Sequence, residues 1–173
     1  MDKIAARSLA LEMRKGFDVD LASIKAIDEI INLNILLKYS NVGIYYPIGK
    51  EINILKLMDI YPNKNFYLPI TRDEISFIRY KKNDKLVKGS FKTMEPIGDI
   101  ISRNQIEVFI IPCVAVGKDN RRIGYGKGYY DRYLENYNGL KIGICYEKLS
   151  NLDVDCDLFD IKLDYVIKGW LYV

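Results

Sequence analysis

Three glycines at alternate positions, Gly124, Gly126 and Gly128, separate an apolar run from what reads as a helix start. The run Val108–Val116, VFIIPCVAV, has the length and branching of a buried strand. Gly117 to Asn120 is turn chemistry, and Tyr129 opens the helical segment YYDRYL. Alternate glycines leave no Cβ where a backbone must come close to something, and they admit positive φ. A loop of that kind leading into a helix gathers unpaired N–H groups and the positive end of the helix dipole, which together make an anion site. Arg121, Arg122 and Lys127 add full positive charge, and Asp131 adds a carboxylate. That mixture suits a polyphosphate carried with a divalent cation. Neither common phosphate-loop pattern fits, because Gly128 follows Lys127 where Ser or Thr is required and Tyr129 stands where G-x-G-x-x-G needs its last glycine. A glycine-softened hairpin with solvated basic residues is the plainer alternative.

The chain contains no histidine. Ser-His-Asp and Cys-His catalysis and the common His-based zinc sites are thereby excluded. Phosphoryl transfer, which depends on positioning and charge neutralisation, needs none. A length of 173 residues suits one domain spanning 1–173, and the net charge of +3 lacks the basic density of a nucleic-acid arm. Cys113, Cys145 and Cys156 show no metal spacing and read as free thiols of a reducing cytoplasm. No segment has the length and apolarity of a membrane span or a signal core, so a cytoplasmic protein with no membrane partner is expected.

In chain order, Asp2 to Lys15 reads as a helix stopped by Gly16, with Lys3 and Arg7 four apart on one side. Asp18 or Asp20 caps a second helix expected to reach about Lys38. Asn41 to Tyr46 reads as a buried strand, Pro47 stops it, and Glu51 is expected to begin a helix reaching about Ile60, where the dipole would favour its charge. Asn65–Pro69 is a further strand. Ile75–Tyr80 and the segment from Lys85 to Val87 are expected to pair antiparallel around the turn between them. The helix after the glycine loop should run to Tyr137, and Leu140–Tyr146 returns as a buried strand. Alternating strands and helices imply a layered α/β/α, Rossmann-like fold with a mixed, mostly parallel sheet and helices on both faces. Both candidate site segments, 47–51 and 117–131, follow apolar strands, where open α/β sheets bind ligands.

The passage from Ile111 to Leu134, IPCVAVGKDNRRIGYGKGYYDRYL, resembles the signature region of the 5-formyltetrahydrofolate cyclo-ligase family. There a Pro-containing strand and an acidic turn lead into Arg-Leu-Gly-x-Gly-x-Gly-Tyr-Tyr-Asp, and Ile123 stands here for the leucine. The resemblance extends to the N-terminal Lys3-x-x-x-Arg7 pair, to Tyr45, Tyr46, Pro47 and Glu51, and more weakly to the tail ending at Asp164. It implies ATP-dependent closure of 5-formyltetrahydrofolate to 5,10-methenyltetrahydrofolate; a monomer is expected. On this reading Lys3, Arg7, Arg122, Gly124, Gly126, Lys127, Gly128 and Asp131 meet ATP, with Arg122 and Lys127 stabilising the transferred charge. Glu51 and Tyr46 meet the folate together with Gly126, Lys127, Gly128, Tyr129 and Tyr130, although the last two could equally be packing residues. Asp131 and Asp164 are expected to hold Mg²⁺. Phe159-Asp160 replaces the family's His-Asp or Trp-Asp pair, and Lys168 its closing Thr. Two other classes stay open: a nucleotide- or folate-binding module of the same fold without turnover, and an RNA-binding protein using its 14 tyrosines as stacking platforms.

Overall fold

The central strand β7 (Val108–Pro112) is buried at all five positions, as its unbroken apolar run requires of a parallel strand covered on both faces. Around it the computed structural model, which describes residues 1–172, builds β1 (Asn41–Gly43), β2 (Asn65–Thr71), β3 (Ile75–Tyr80), β4 (Leu86–Lys88), β5 (Met94–Pro96) and β6 (Ile100–Ile101). Beyond β7 come β8 (Ala115–Val116), β9 (Arg122–Ile123), β10 (Leu140–Tyr146) and β11 (Tyr165–Gly169). The helices are α1 (Lys3–Arg14), α2 (Val19–Asn32), α3 (Leu57–Ile60) and α4 (Tyr129–Tyr133). A seven-stranded sheet runs β11-β10-β7-β1-β2-β3-β6. Its first five strands are parallel, while β3 and β6 close the far edge antiparallel. Two ribbons, β4–β5 and β8–β9, stand outside it.

Helices cover both faces. Gly169 of β11 faces Ala22 of α2, with no room for a side chain between them. On the opposite face Phe109 packs edge-on against Tyr133 of α4 and against Tyr137, with centroids 5.6 and 5.1 Å away. The register of β7, β10 and β11 places Phe109 and Gly169 at positions of opposite parity, hence on opposite sides of the pleat. The mixed, mostly parallel α/β architecture is therefore present as the alternation of elements implied.

Local chemistry accounts for the helix starts. Asp2 accepts a hydrogen bond from the Ala5 amide at 2.8 Å, and Asp18 accepts one from Leu21 at 3.1 Å. Several expected boundaries move. α2 stops at Asn32 instead of about Lys38, because Asn34 takes a left-handed conformation (φ 51°) that asparagine tolerates. Glu51 begins no helix: residues 51–54 are irregular, and only the single turn of α3 follows. The run from Val108 to Val116 is two strands, since Pro112 brings no N–H to the ladder and its carbonyl is taken by Arg122. β3 pairs with β2 and β6, and the segment containing Leu86 pairs with β5 instead. α4 ends at Tyr133, short of Tyr137.

The order of strand addition reverses between β1 and β7, which themselves run parallel. After β1 the chain lays β2 on one side, and β7, β10 and β11 are added on the other. Ligands of open α/β sheets bind beyond the carboxyl ends of the strands at such a point. Close approach there is enforced by Gly43, where a Cβ would lie 2.4 Å from the Phe109 ring. Gly43→Ala is expected to destabilise the chain by about 1–3 kcal/mol through overpacking, read as a lower urea midpoint at unchanged slope.

Candidate functional site

A cleft of about 490 Å³ opens at the carboxyl ends of β1 and β7. Every expected site residue except Asp164 lines it. A wider groove of about 680 Å³ lies between α2, α3 and the end of β3, with Lys82 and Asp59 paired across it at 2.7 Å, but none of the expected site residues lines it.

Arg122 organises the cleft floor. It is buried, donates from Nε to the Pro112 carbonyl at 2.7 Å and lies over the Tyr130 ring at 4.7 Å. Its guanidinium presses on the glycine loop so closely that a Cβ at Gly124 would stand 2.5 Å from Nη1. Gly124 is thus needed for close approach, whereas Gly126 (φ 98°) and Gly128 (φ 72°) are needed for their backbone conformation. Arg7 reaches from α1 to the Gly124 carbonyl, Nε to O 2.6 Å. Lys127 is exposed and makes no ion pair among the described residues; its ammonium lies 5.9 Å from the Phe91 ring. With only five residues, α4 contributes a weak dipole. The cations and loop amides must therefore carry the anion attraction expected of this segment.

The acidic side of the cleft differs from the sequence expectation. Asp131 points in as expected, accepting from the Ile161 amide at 3.1 Å, and burial pushes its carboxyl up. Asp164 does not. It precedes β11, and a residue before a parallel strand sits at the amino end of the sheet, away from the ligand edge. There it accepts from the Lys141 amide at 2.8 Å. Asp160 takes its place at the cleft, beside Asp131. Its carboxylate accepts from Lys3 Nζ and from the Asp157 amide, each at 2.8 Å. Lys3 is therefore held by Asp160 and Asp157 (2.8 Å), and these hydrogen bonds raise its pKa. Among the described residues no group of three or more metal-ligating side chains exists. Two carboxylates beside a cluster of cations and loop amides nonetheless fit magnesium, which keeps water and substrate oxygens in its shell.

Across the cleft Glu51 is buried in a turn, its carboxylate accepting from the Ile48 amide at 2.9 Å. Burial pushes its pKa up to about 7, against the pull of that amide, Arg14 and Arg122. Tyr46 and Tyr129 line the walls, Tyr129 reaching the Arg72 carbonyl at 3.4 Å, and Tyr130 packs beneath Arg122. The rim also includes Thr71, Thr93 and Phe91, which were not expected. Phe91 (φ 55°) and Lys92 (φ 62°) turn the tight connection between β4 and β5. That ribbon is pinned by Glu95, only 1% exposed, which accepts from the Thr71 amide and Arg72, each at 2.8 Å. Met94-Glu95-Pro96 resembles a Glu-Pro element of the cyclo-ligase family but reads in the residues themselves as extended chain before proline, so nothing there assigns Glu95 a role or signals a buried carboxylate.

Residues 10–168 match the 5-formyltetrahydrofolate cyclo-ligase family. A Mycoplasma pneumoniae 5-formyltetrahydrofolate cyclo-ligase is 32% identical over 96% of this chain and 98% of its own, and one from Haemophilus influenzae is 30% identical over 70% and 74%. Among solved structures, the 5,10-methenyltetrahydrofolate synthetase of Aquifex aeolicus superimposes with a TM-score of 0.85 at 30% identity, covering 98% of this chain and 90% of that one. The Mycoplasma pneumoniae synthetase gives 0.77 at 30% identity, covering 96% and 98%.

The buried carboxyl of Glu51 makes stability pH-dependent. Between its ordinary pKa of 4.5 and about 7 the folded chain holds a proton that the unfolded chain has released, so this group's contribution falls as pH rises through that window. Glu51→Gln, neutral throughout, should match wild type at pH 4 and exceed it at pH 8 by on the order of 2–3 kcal/mol in urea unfolding. A difference that does not vary with pH would show that Glu51 titrates as an ordinary carboxyl.

Proposed function

The chain belongs to the 5-formyltetrahydrofolate cyclo-ligase family and is a ligase of folate one-carbon metabolism, and from that premise we propose that it closes 5-formyltetrahydrofolate to 5,10-methenyltetrahydrofolate with conversion of ATP to ADP and phosphate. One observation carries the reading: a basic glycine loop and a buried, ionisable Glu51 face each other across a single cleft. Two dissimilar ligands, one polyanionic and one carrying N–H donors, are thereby brought edge to edge.

The formyl oxygen of the substrate attacks the γ-phosphorus, and ADP leaves with the electrons of the broken P–O bond. N-10 of the folate then adds to the activated formyl carbon and gives up its proton, and the C–O bond breaks to release phosphate. Both nucleophiles belong to the substrates, so the protein supplies alignment and charge stabilisation. Lys127, Arg122 and the loop amides would hold the transferring phosphoryl group, with Arg7 and Lys3 on the α1 side. For Lys3 this requires exchange of its present carboxylate partners for phosphate. Asp131 and Asp160 would hold a magnesium ion, which supplies charge neutralisation at the phosphate oxygens. Glu51, once ionised, would accept from the pterin N–H groups, while Tyr46, Tyr129 and Tyr130 wall the ring. No helix among the described residues is long and apolar enough to cross a membrane.

The reaction is tested by following the near-ultraviolet absorbance of the methenyl product with folate, ATP and Mg²⁺ omitted in turn. A signal requiring all three supports the reading, and binding of both ligands without product would reduce the chain to a binding module. Lys127→Ala is expected to lower kcat/KM by roughly 10²–10³-fold, the loss seen when one preorganised charge-stabilising donor is removed. Asp160→Asn should raise the Mg²⁺ concentration needed for half-maximal rate by about tenfold or more, while Asp164→Asn leaves it unchanged.

A further inference from the structure

Arg14 is the least explained charge in the molecule. It ends α1 at 6% exposure, outside the lining of the cleft, and makes no ion pair among the described residues. A buried guanidinium is expensive unless its donors are satisfied and its charge is answered. Its one side-chain partner among the described residues is the hydroxyl of Tyr125, which accepts from Nη2, and its guanidinium carbon lies 5.5 Å from the centre of the same ring. Tyr125 stands between Gly124 and Gly126, at the head of the phosphate-binding loop, and itself lines the cleft.

Arg14 is seven residues from Arg7, two helical turns along the same face of α1. Arg7 bonds the Gly124 carbonyl and Arg14 bonds the next side chain. The helix can sit this close because Ala6 and Ala10, both fully buried, present little bulk on that side. We infer that Arg14 and Tyr125 form a clamp that positions the glycine loop from behind, holding residues 124–128 ready for nucleotide phosphate before it arrives. Flexible glycines otherwise leave the loop many conformations to lose on binding. Arg14 is a positioning residue here: it holds the loop through Tyr125 and touches no ligand itself.

The ligand side of this inference rests on the ATP reading above, and the test separates the two. Amide hydrogen exchange is followed at residues 124–128 in wild type, Tyr125→Phe, Arg14→Met and the double variant, alongside calorimetric titration with ATP and Mg²⁺. Each single variant should speed loop exchange and weaken ATP binding by roughly tenfold, the size of one charge-assisted hydrogen bond. The double variant should be no worse than either single, and exchange in β7 and β10 should not change. Unchanged loop exchange in the single variants, or fully additive effects in the double, overturns the clamp. Faster loop exchange in variants of a protein whose wild type binds no ATP would sink the nucleotide reading and leave the clamp standing. Should Arg14→Met fail to fold, Tyr125→Phe, which removes one oxygen atom, decides the matter alone.

Discussion

The hydrogen bond from Arg122 to the Pro112 carbonyl is the point on which the site is built. β7 must stop where its proline carbonyl turns out of the ladder, and the cation that takes this carbonyl is brought back by the β8–β9 ribbon. From that one placement follow the stacked Tyr130, the obligatory glycine at 124 and part of the attraction that keeps Glu51 ionisable. The same charge opposes burial at Cys113, whose thiol is nevertheless pushed up to about 11. Cys113 is therefore a packing residue beside the site, protonated and inert at neutral pH.

Electrostatically the cleft is pre-paired. Lys3 rests on Asp157 and Asp160, while Arg7 rests on a backbone carbonyl. Such contacts keep the charges solvated by protein, which lowers the reorganisation that any anionic ligand entering the cleft would require. The walls divide the labour: cations and loop amides come from α1, β9 and the glycine loop, and the donor-accepting carboxylate comes from the turn after β1. The cleft thus presents a basic wall and an acidic one facing each other.

Much of this was legible in the residues, and the failures have physical causes. The glycine triplet, the Lys3–Arg7 spacing and the apolar strands each carry a local signal strong enough to survive tertiary context. Glu51 was placed in the site for the right neighbourhood but on the wrong element, since four irregular residues can precede a helical turn without any change in composition. The partner of β3 could not be read because two antiparallel options, β2 and the Leu86 segment, have equally suitable patterns; the shorter connection won. Asp164 failed for want of direction. Once β11 is known to run parallel to β10, a residue at its start lies at the edge opposite the cleft, which Asp160 lines instead. Glu95 and Arg14 left no trace, because a buried charge is invisible to periodicity until its partners are located.

The reversal between β1 and β7 bears on how the chain reaches this state. Val42 pairs with Val108 only after more than a third of the chain has been threaded through the β2–β6 region, whereas β2 and β3 meet across a short turn. Non-local parallel pairings form late, since loop closure must precede the contacts that reward it. Because the cleft straddles this late-closing seam, a chain stalled before it would carry much of its secondary structure and no binding site at all. Occupancy of the cleft would then report completion of the central sheet, and any ligand bound there would act against unfolding at the very joint that assembles last.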